Sequence, residues 1–310
     1  MTDQVQTLYE QQTTCWETAR KNYEALRQVQ VKTCMVNGYT YKVQFNPARI
    51  LSSGAKVDKA SIQQRACFLC AANRPAEQQG VPFGTSYTVL VNPFPIFPKH
   101  LTIPANNHSD QLIAGRLNDM LNLAQALSTY VLFYNGPKCG ASAPDHIHFQ
   151  AGNKGFLPIE KEMKTQPQEL VTQNGSATVH NLVNDIRHTL IIESANREEI
   201  LCLFNRIYNA LPVPAGDQEP MMNLLCWWEA NNWTLCVFPR AKHRPNCYFV
   251  EGADRLLISP ASVDFGGVFI LPMEADYQRI TEKEIAQVLA EVCIPASDFQ
   301  ALKQLLKAQP

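Results

Sequence analysis

One stretch constrains this chain most: Gly140-Ala141-Ser142-Ala143-Pro144-Asp145-His146-Ile147-His148-Phe149-Gln150. His146, His148 and Gln150 stand at every second position, with Ile147 and Phe149 between them. Alternate residues of a β-strand share a face, so this spacing predicts two imidazoles and an amide on one surface and two apolar side chains in a core. The Gly-Ala-Ser segment ahead of the strand offers the backbone N–H of Gly140 and its neighbours, and the Ser142 hydroxyl, to an anion. Imidazole, amide and loop donors together suit phosphoryl or nucleotidyl transfer through histidine. His148 is the expected nucleophile, because a neutral imidazole attacks phosphorus and the resulting phosphoramidate passes the group on. Gln150 points the same way and is expected to bind a non-bridging phosphate oxygen. Asn135, which ends the preceding strand, is the next candidate donor, with a plain turn at Asn135-Gly136-Pro137 as the alternative.

Cys67-x-x-Cys70 is a knuckle that can set two thiolates on one metal. The chain holds no second knuckle, and His108 and His146 are the best completing pair. A structural Cys2His2 zinc site on Cys67, Cys70, His108 and His146 is therefore expected, with two buried thiols as the alternative. The run Arg240-Ala241-Lys242-His243-Arg244 makes Arg240, Lys242 and Arg244 candidates for a phosphate or sugar phosphate, against a merely solvated loop. His100 reads as a structural or substrate-pocket residue, and Asp264-Phe265-Gly266-Gly267 as a tight turn that can lie near the site.

A net charge of −1 with 18% charged residues leaves no broad basic field for nucleic acid. The apolar runs are too short to span a bilayer. The first residues, MTDQVQTLYEQQ, show no secretory pattern, so the ten cysteines read as reduced thiols of a cytoplasmic protein.

Apolar periodicity predicts one helix over 4–27, a hairpin over 30–45 turning at Asn37-Gly38, a helix over 110–128 and strands over 130–134 and 146–150. After these come a helix over 197–210 and strands near 186–192, 221–228, 233–238 and 246–250. The order of elements in 186–250 loosely echoes that in 86–150. The organisation expected is an N-terminal helix at 1–28, a first half at 29–165, a polar linker or flap at 166–180, and a related second half at 181–310. The fold class is α+β, with antiparallel sheets and packed helices.

At these residues the sequence resembles the histidine-triad superfamily, in its galactose-1-phosphate uridylyltransferase branch. Cys67-Phe68-Leu69-Cys70-Ala71-Ala72-Asn73-Arg74 is similar to the zinc-knuckle segment of those enzymes, and Asn92-Pro93-Phe94-Pro95 and Lys99-His100-Leu101-Thr102-Ile103-Pro104 to the segments before their helix. Gly140-Ala141-Ser142 and His146-Ile147-His148-Phe149-Gln150 resemble the nucleophile motif, nearer in form to diadenosine tetraphosphate phosphorylases and to GDP-L-galactose phosphorylase. Trp233 to Arg240 with Asp264-Phe265-Gly266-Gly267 resembles the C-terminal part of the phosphorylases.

The resemblance implies a HIT-like fold of two related halves, the second degenerate. It also implies His148 as the residue that becomes nucleotidylated, Gln150, Ser142 and Asn135 around the α-phosphate, and zinc on the four Cys and His residues. The donor would be a nucleotide sugar or dinucleoside polyphosphate, the acceptor phosphate or a sugar phosphate, and the assembly a homodimer. A hydrolase of nucleotidyl conjugates and a non-catalytic nucleotide-binding protein are the competing readings. Asp145 departs from the family pattern by lengthening the link from Ser142 to His146 by one residue.

Overall fold

Asn37 and Gly38 both take positive φ, 52° and 85°. That is the backbone of a two-residue hairpin turn, and it joins β1 (Gln30–Val36) to β2 (Tyr39–Phe45) in the register Val36↔Tyr39. The computed structural model describes residues 1–50 and 59–308 of the chain. From Gly80 the chain alternates hydrophobic residues through β3 (Gly80–Phe83), β4 (Tyr87–Val91) and β5 (His100–Pro104). It then crosses by the helix Leu117–Ala126 to β6 (Tyr130–Asn135) and β7 (His148–Asn153).

The same order recurs downstream. β8 (Gln168–Asn174), β9 (Ala177–Leu182) and β10 (Leu190–Ser194) precede the helix Arg197–Ala210, which leads to β11 (Met222–Glu229) and β12 (Asn232–Pro239). These strands form one ten-stranded sheet in the order β3-β4-β5-β7-β6-β11-β12-β10-β9-β8. Read from either edge inward, the two sets of five have the same connectivity, and they meet antiparallel where Asn135 of β6 pairs with Asn223 of β11. The echo in the sequence is thus a repeated topology. β13 (Val268–Leu271) joins β2 in parallel, completing a separate three-stranded sheet.

Alternation along the central strands feeds two cores. Leu132, Tyr134, Ile147, Phe149 and Ala151 face a layer of helices, Thr2–Cys15, Glu17–Leu26, Leu117–Ala126, Arg197–Ala210 and Ala296–Ala308. Val131 and Phe133 face the other way, onto the three-stranded sheet and the helix Glu282–Val292.

Four expected elements differ. The N-terminal helix breaks at Trp16, whose extended backbone (φ −92°, ψ 107°) separates two shorter helices and whose side chain is buried. The helix expected over 110–128 begins only at Leu117, because Gln111 and Ile113 are spent as buried loop residues. The supposed linker at 166–180 is β8 and the start of β9, an edge hairpin that looks polar because one of its faces meets solvent. Residues 246–248 form a short 3-10 turn in place of a strand.

Candidate active site and metal-binding cluster

His148 and Gln150 project from β7 on the face opposite Ile147, Phe149 and Ala151. They line a cavity of about 600 Å³ together with Asn135, Gly140, Ser142, Arg65, Arg49, Asn92 and Phe133. Trp16, Phe68, Leu69 and Leu90 also line it, as do His243, Arg244, Ser259 and Asp264 of the second half.

Neighbours fix the His148 ring. Its Nδ1 lies 2.8 Å from the His146 carbonyl, which can only accept, so Nδ1 carries the proton and Nε2 keeps its lone pair. Burial pushes this imidazole down to about 4, outweighing that hydrogen bond, and the ring is neutral at pH 7.

The backbone beneath is held by Gln111, which is fully buried. Its Oε1 accepts from the His148 N–H at 2.8 Å, and its Nε2 donates to the carbonyls of Asn135 and His148, each at 3.0 Å. The Tyr134 hydroxyl, with one proton to give, lies within hydrogen-bond distance of both the Gln111 carbonyl, at 3.0 Å, and the Glu219 carboxyl. Gln111 carries no motif, and only its place in an apolar run could have marked it.

Amide orientation follows from the same logic. The His100 Nδ1 accepts from the Ile96 N–H at 3.1 Å, so its Nε2–H donates to Gln150 Oε1 at 3.0 Å. Burial first, and Arg49 second, push His100 down to about 3, which keeps this tautomer neutral. With its oxygen engaged, Gln150 offers its NH2 group to the cavity. Asn135 is set likewise: its Oδ1 accepts from Asn223 Nδ2 at 2.9 Å and from the N–H and Oγ of Ser262 at 2.9 and 2.7 Å. Two amide donors therefore stand beside a free imidazole nitrogen. His100, read in the sequence as structural or lining, is structural: it is fully buried and does not line the cavity.

Gly140 lines the cavity with φ +96°, and a Cβ there would come within 2.5 Å of the Ala261 Cβ. The glycine thus lets the motif loop lie against the 260–262 segment. The Asp264 turn does reach the site, and burial pushes its carboxyl up to about 7.

The basic run divides. Arg244 lines the cavity, donating from Nε to Ser259 Oγ at 3.0 Å and lying over the Tyr248 ring. Arg240 does not line it. All five of its N–H donors are spent, on the carbonyls of Val292, Pro260, Lys242 and His243 and on Asn223 Oδ1, so it braces the wall and is not a substrate ligand. Lys242 lies at the surface beside Asn246 and Glu291, and is likewise corrected from substrate-binding to a surface pair. Arg49, Arg65 and Asn92 were missed, since single polar residues in irregular segments carry no periodic signal.

A second cluster sits behind the motif loop. Cys67, Cys70, His108 and His146 place their ligand atoms within 4.8 Å of one another. Cys67 Sγ lies 3.3 Å from His146 Nδ1, and Cys70 Sγ lies 3.2 Å from His108 Nδ1 and 3.5 Å from His146 Nδ1. Zn–S bonds of about 2.3 Å and Zn–N bonds of about 2.0–2.1 Å at tetrahedral angles require S···N separations of about 3.5 Å. The His146 Nε2–H donates to the Ala105 carbonyl at 2.8 Å, which leaves Nδ1 as the ligand atom. This group can hold a metal ion.

Comparison with known proteins follows the geometry. Residues 160–309 match the family model described as GDPGP1-like, C-terminal domain, and residues 8–153 match one described as a domain of unknown function, DUF4922. The crystal structure of yeast Ap4A phosphorylase Apa2 in complex with Ap4A superposes with a TM-score of 0.62, covering 95% of this chain and 97% of that one at 16% identity. Another crystal structure of Apa2 gives a TM-score of 0.61 over 90% and 97% at 18% identity. The chain has the HIT-like fold of these structures. Among curated sequences, Protein APA1 of Saccharomyces cerevisiae (strain ATCC 204508 / S288c) is 21% identical over 240 residues, 69% of this chain and 71% of that protein. The His-x-His-x-Gln motif stands only in the first half; in the second, Trp233 of β12 faces the helix-side core and packs its ring against Trp228.

Proposed function

We propose that this protein is a nucleotidyl phosphorylase or transferase working through His148. One observation carries the reading: the His148 Nδ1–H is committed to a carbonyl, so Nε2 is a neutral, aimed lone pair at the wall of a cavity lined by amide and guanidinium donors. In the first displacement Nε2 attacks the α-phosphorus of a nucleotide-activated donor. The P–O bond to the rest of the donor breaks, and the Gln150 and Asn135 amides stabilise charge on the non-bridging oxygens. In the second, an oxygen of phosphate or a sugar phosphate attacks the phosphoramidate, the P–N bond breaks, and the imidazole is restored. Similarity to proteins described as Ap4A phosphorylases supports a dinucleoside polyphosphate as donor and phosphate as acceptor, and a nucleotide-sugar donor rests on the sequence resemblance alone. We place the protein in the cytoplasm, on the ten free thiols, and as a homodimer on the resemblance alone. No helix among the described residues is long and apolar enough to cross a membrane.

Incubation with α-labelled dinucleoside polyphosphates and nucleotide sugars tests the reading. Label that is acid-labile and base-stable is expected on the wild type and absent from His148→Ala. Equal labelling of the two, or none from any donor, refutes it.

Zinc is the metal proposed for Cys67, Cys70, His108 and His146, where it would pin the motif strand to the knuckle. Metal analysis should return about one zinc per chain, and Cys70→Ala should lose the metal together with thermal stability. Purified, reduced protein without zinc but with full activity would refute the assignment.

A further inference from the structure

Asp145, which by the sequence resemblance lengthens the motif loop by one residue, does not stand alone. Its Oδ1 lies 2.8 Å from Arg65 Nη2, and its Oδ2 lies 3.8 Å from His108 Nε2. Arg65 Nη2 also donates to the Ser142 carbonyl at 3.4 Å, and the guanidinium lies 5.1 Å over the Phe68 ring. Arg65 is therefore fastened to the motif loop at both Ser142 and Asp145, and it lines the cavity with His148 and Gln150. Its Nη1 is shut off from solvent and has no hydrogen-bond partner among the described residues. An arginine donor that is desolvated and unpaired is costly to keep unless an acceptor arrives.

We propose that Arg65 is a further catalytic residue that binds the donor's phosphate chain, with Asp145 as the positioning residue that holds it. The planar fork suits the assignment. One nitrogen is spent on the loop, and the guanidinium retains capacity for a phosphate oxygen. The pairing also explains why an extra carboxylate is tolerated in a loop built to receive an anion, since Arg65 neutralises it. The inference deepens the nucleotidyl-transfer reading and rests on it for the reaction, though not for the binding of phosphate.

Two measurements separate these parts. The first is equilibrium binding of inorganic tripolyphosphate, a probe with no base or sugar, by calorimetry. Arg65→Met keeps the aliphatic stem against Phe68 and should weaken binding by about tenfold or more, with Arg65→Lys in between and His148→Ala close to wild type. Metal content and melting temperature of each variant identify any that misfolds. The second is single-turnover labelling of the protein. Arg65→Met should slow it by about 100-fold. Asp145→Ala should slow it in the wild-type background and add nothing to Arg65→Met, and Asp145→Glu should restore part of the rate. A wild type that binds no tripolyphosphate, an Arg65→Met protein that binds it equally well, or losses from Arg65 and Asp145 that multiply would each overturn the proposal. Labelled wild type with Arg65-independent binding sinks this inference and keeps the function. Arg65-dependent binding without any label does the reverse.

Discussion

In the proposed reaction a histidine that attacks phosphorus needs an unprotonated nitrogen and a fixed aim, and the buried groups around His148 would supply both. Gln111 supplies the aim. Three hydrogen bonds from one buried amide tie the N–H and carbonyl of His148 to the carbonyl that ends β6, so nucleophile and Asn135 move as a unit. Gln111→Ala leaves those backbone groups unpaired in a dry interior, at about 1–3 kcal/mol for each group left unsatisfied. Stability should fall by at least the amount for one such group, about 1–3 kcal/mol, read from urea denaturation, and kcat should fall by about 10- to 100-fold with KM little changed, because a misplaced nucleophile costs more than a misplaced binding group. A Gln111→Ala protein destabilised to this degree but turning over at the wild-type rate would show that the amide serves folding alone. The same scale explains the divided fate of Arg240 and Arg244. Both sit in one basic run, yet a sequence cannot reveal that five carbonyl and amide oxygens converge on the first and a cavity opens beside the second.

Elements place these residues through backbone fit. The motif loop reaches the second half only because Gly140 adopts φ +96° with Ala261 where a side chain would be. Gly140→Ala combines left-handed strain with a clash against Ala261 and should cost about 1–3 kcal/mol. It should also lower activity, since Ser262, next to Ala261, is what holds the Asn135 oxygen. Gly155→Ala is the control: its φ is +79° but nothing lies within 4 Å, so it should show the strain without the loss of activity. Thermal melts and steady-state rates of the two variants check this, and equal activity losses would refute it.

Legibility in the sequence ran along the same line. The alternation of Ile147 and Phe149 with His148 and Gln150 identified the faces of β7, although the strand begins at His148 and leaves His146 in the loop; the Asn37-Gly38 turn placed its hairpin, and the spacing of Cys67 and Cys70 led to the four-residue cluster. Periodicity reports burial and nothing else. It could not separate Gln111 and Ile113, buried in a loop, from the helix that follows, nor recognise β8, an edge strand with most of its side chains in water.

At the scale of the whole molecule, the two matched segments, 8–153 and 160–309, invite division of the chain between β7 and the helix Pro158–Thr165. The connections say otherwise. β6, an inner strand of the sheet, has β11 as its partner on one side, and β2 has β13, so removing everything after residue 157 opens two hydrogen-bonding edges in the first half. The site loses as much: Asn223 and Ser262 hold Asn135, and Arg244 and Asp264 close one wall of the cavity. The two halves are equivalent in topology, but the His-x-His-x-Gln motif stands only in the first, and the second braces it through Asn223 and Ser262. Residues 1–157 expressed alone should therefore aggregate or lack a cooperative urea transition. The full chain should unfold in one step whether followed by far-UV circular dichroism or by tryptophan fluorescence, which is weighted towards Trp227, Trp228 and Trp233 of the second half. Two separated transitions in the full chain, or a soluble 1–157 fragment that melts cooperatively and takes label on His148, would show that the halves are independent and that the second is dispensable for the chemistry.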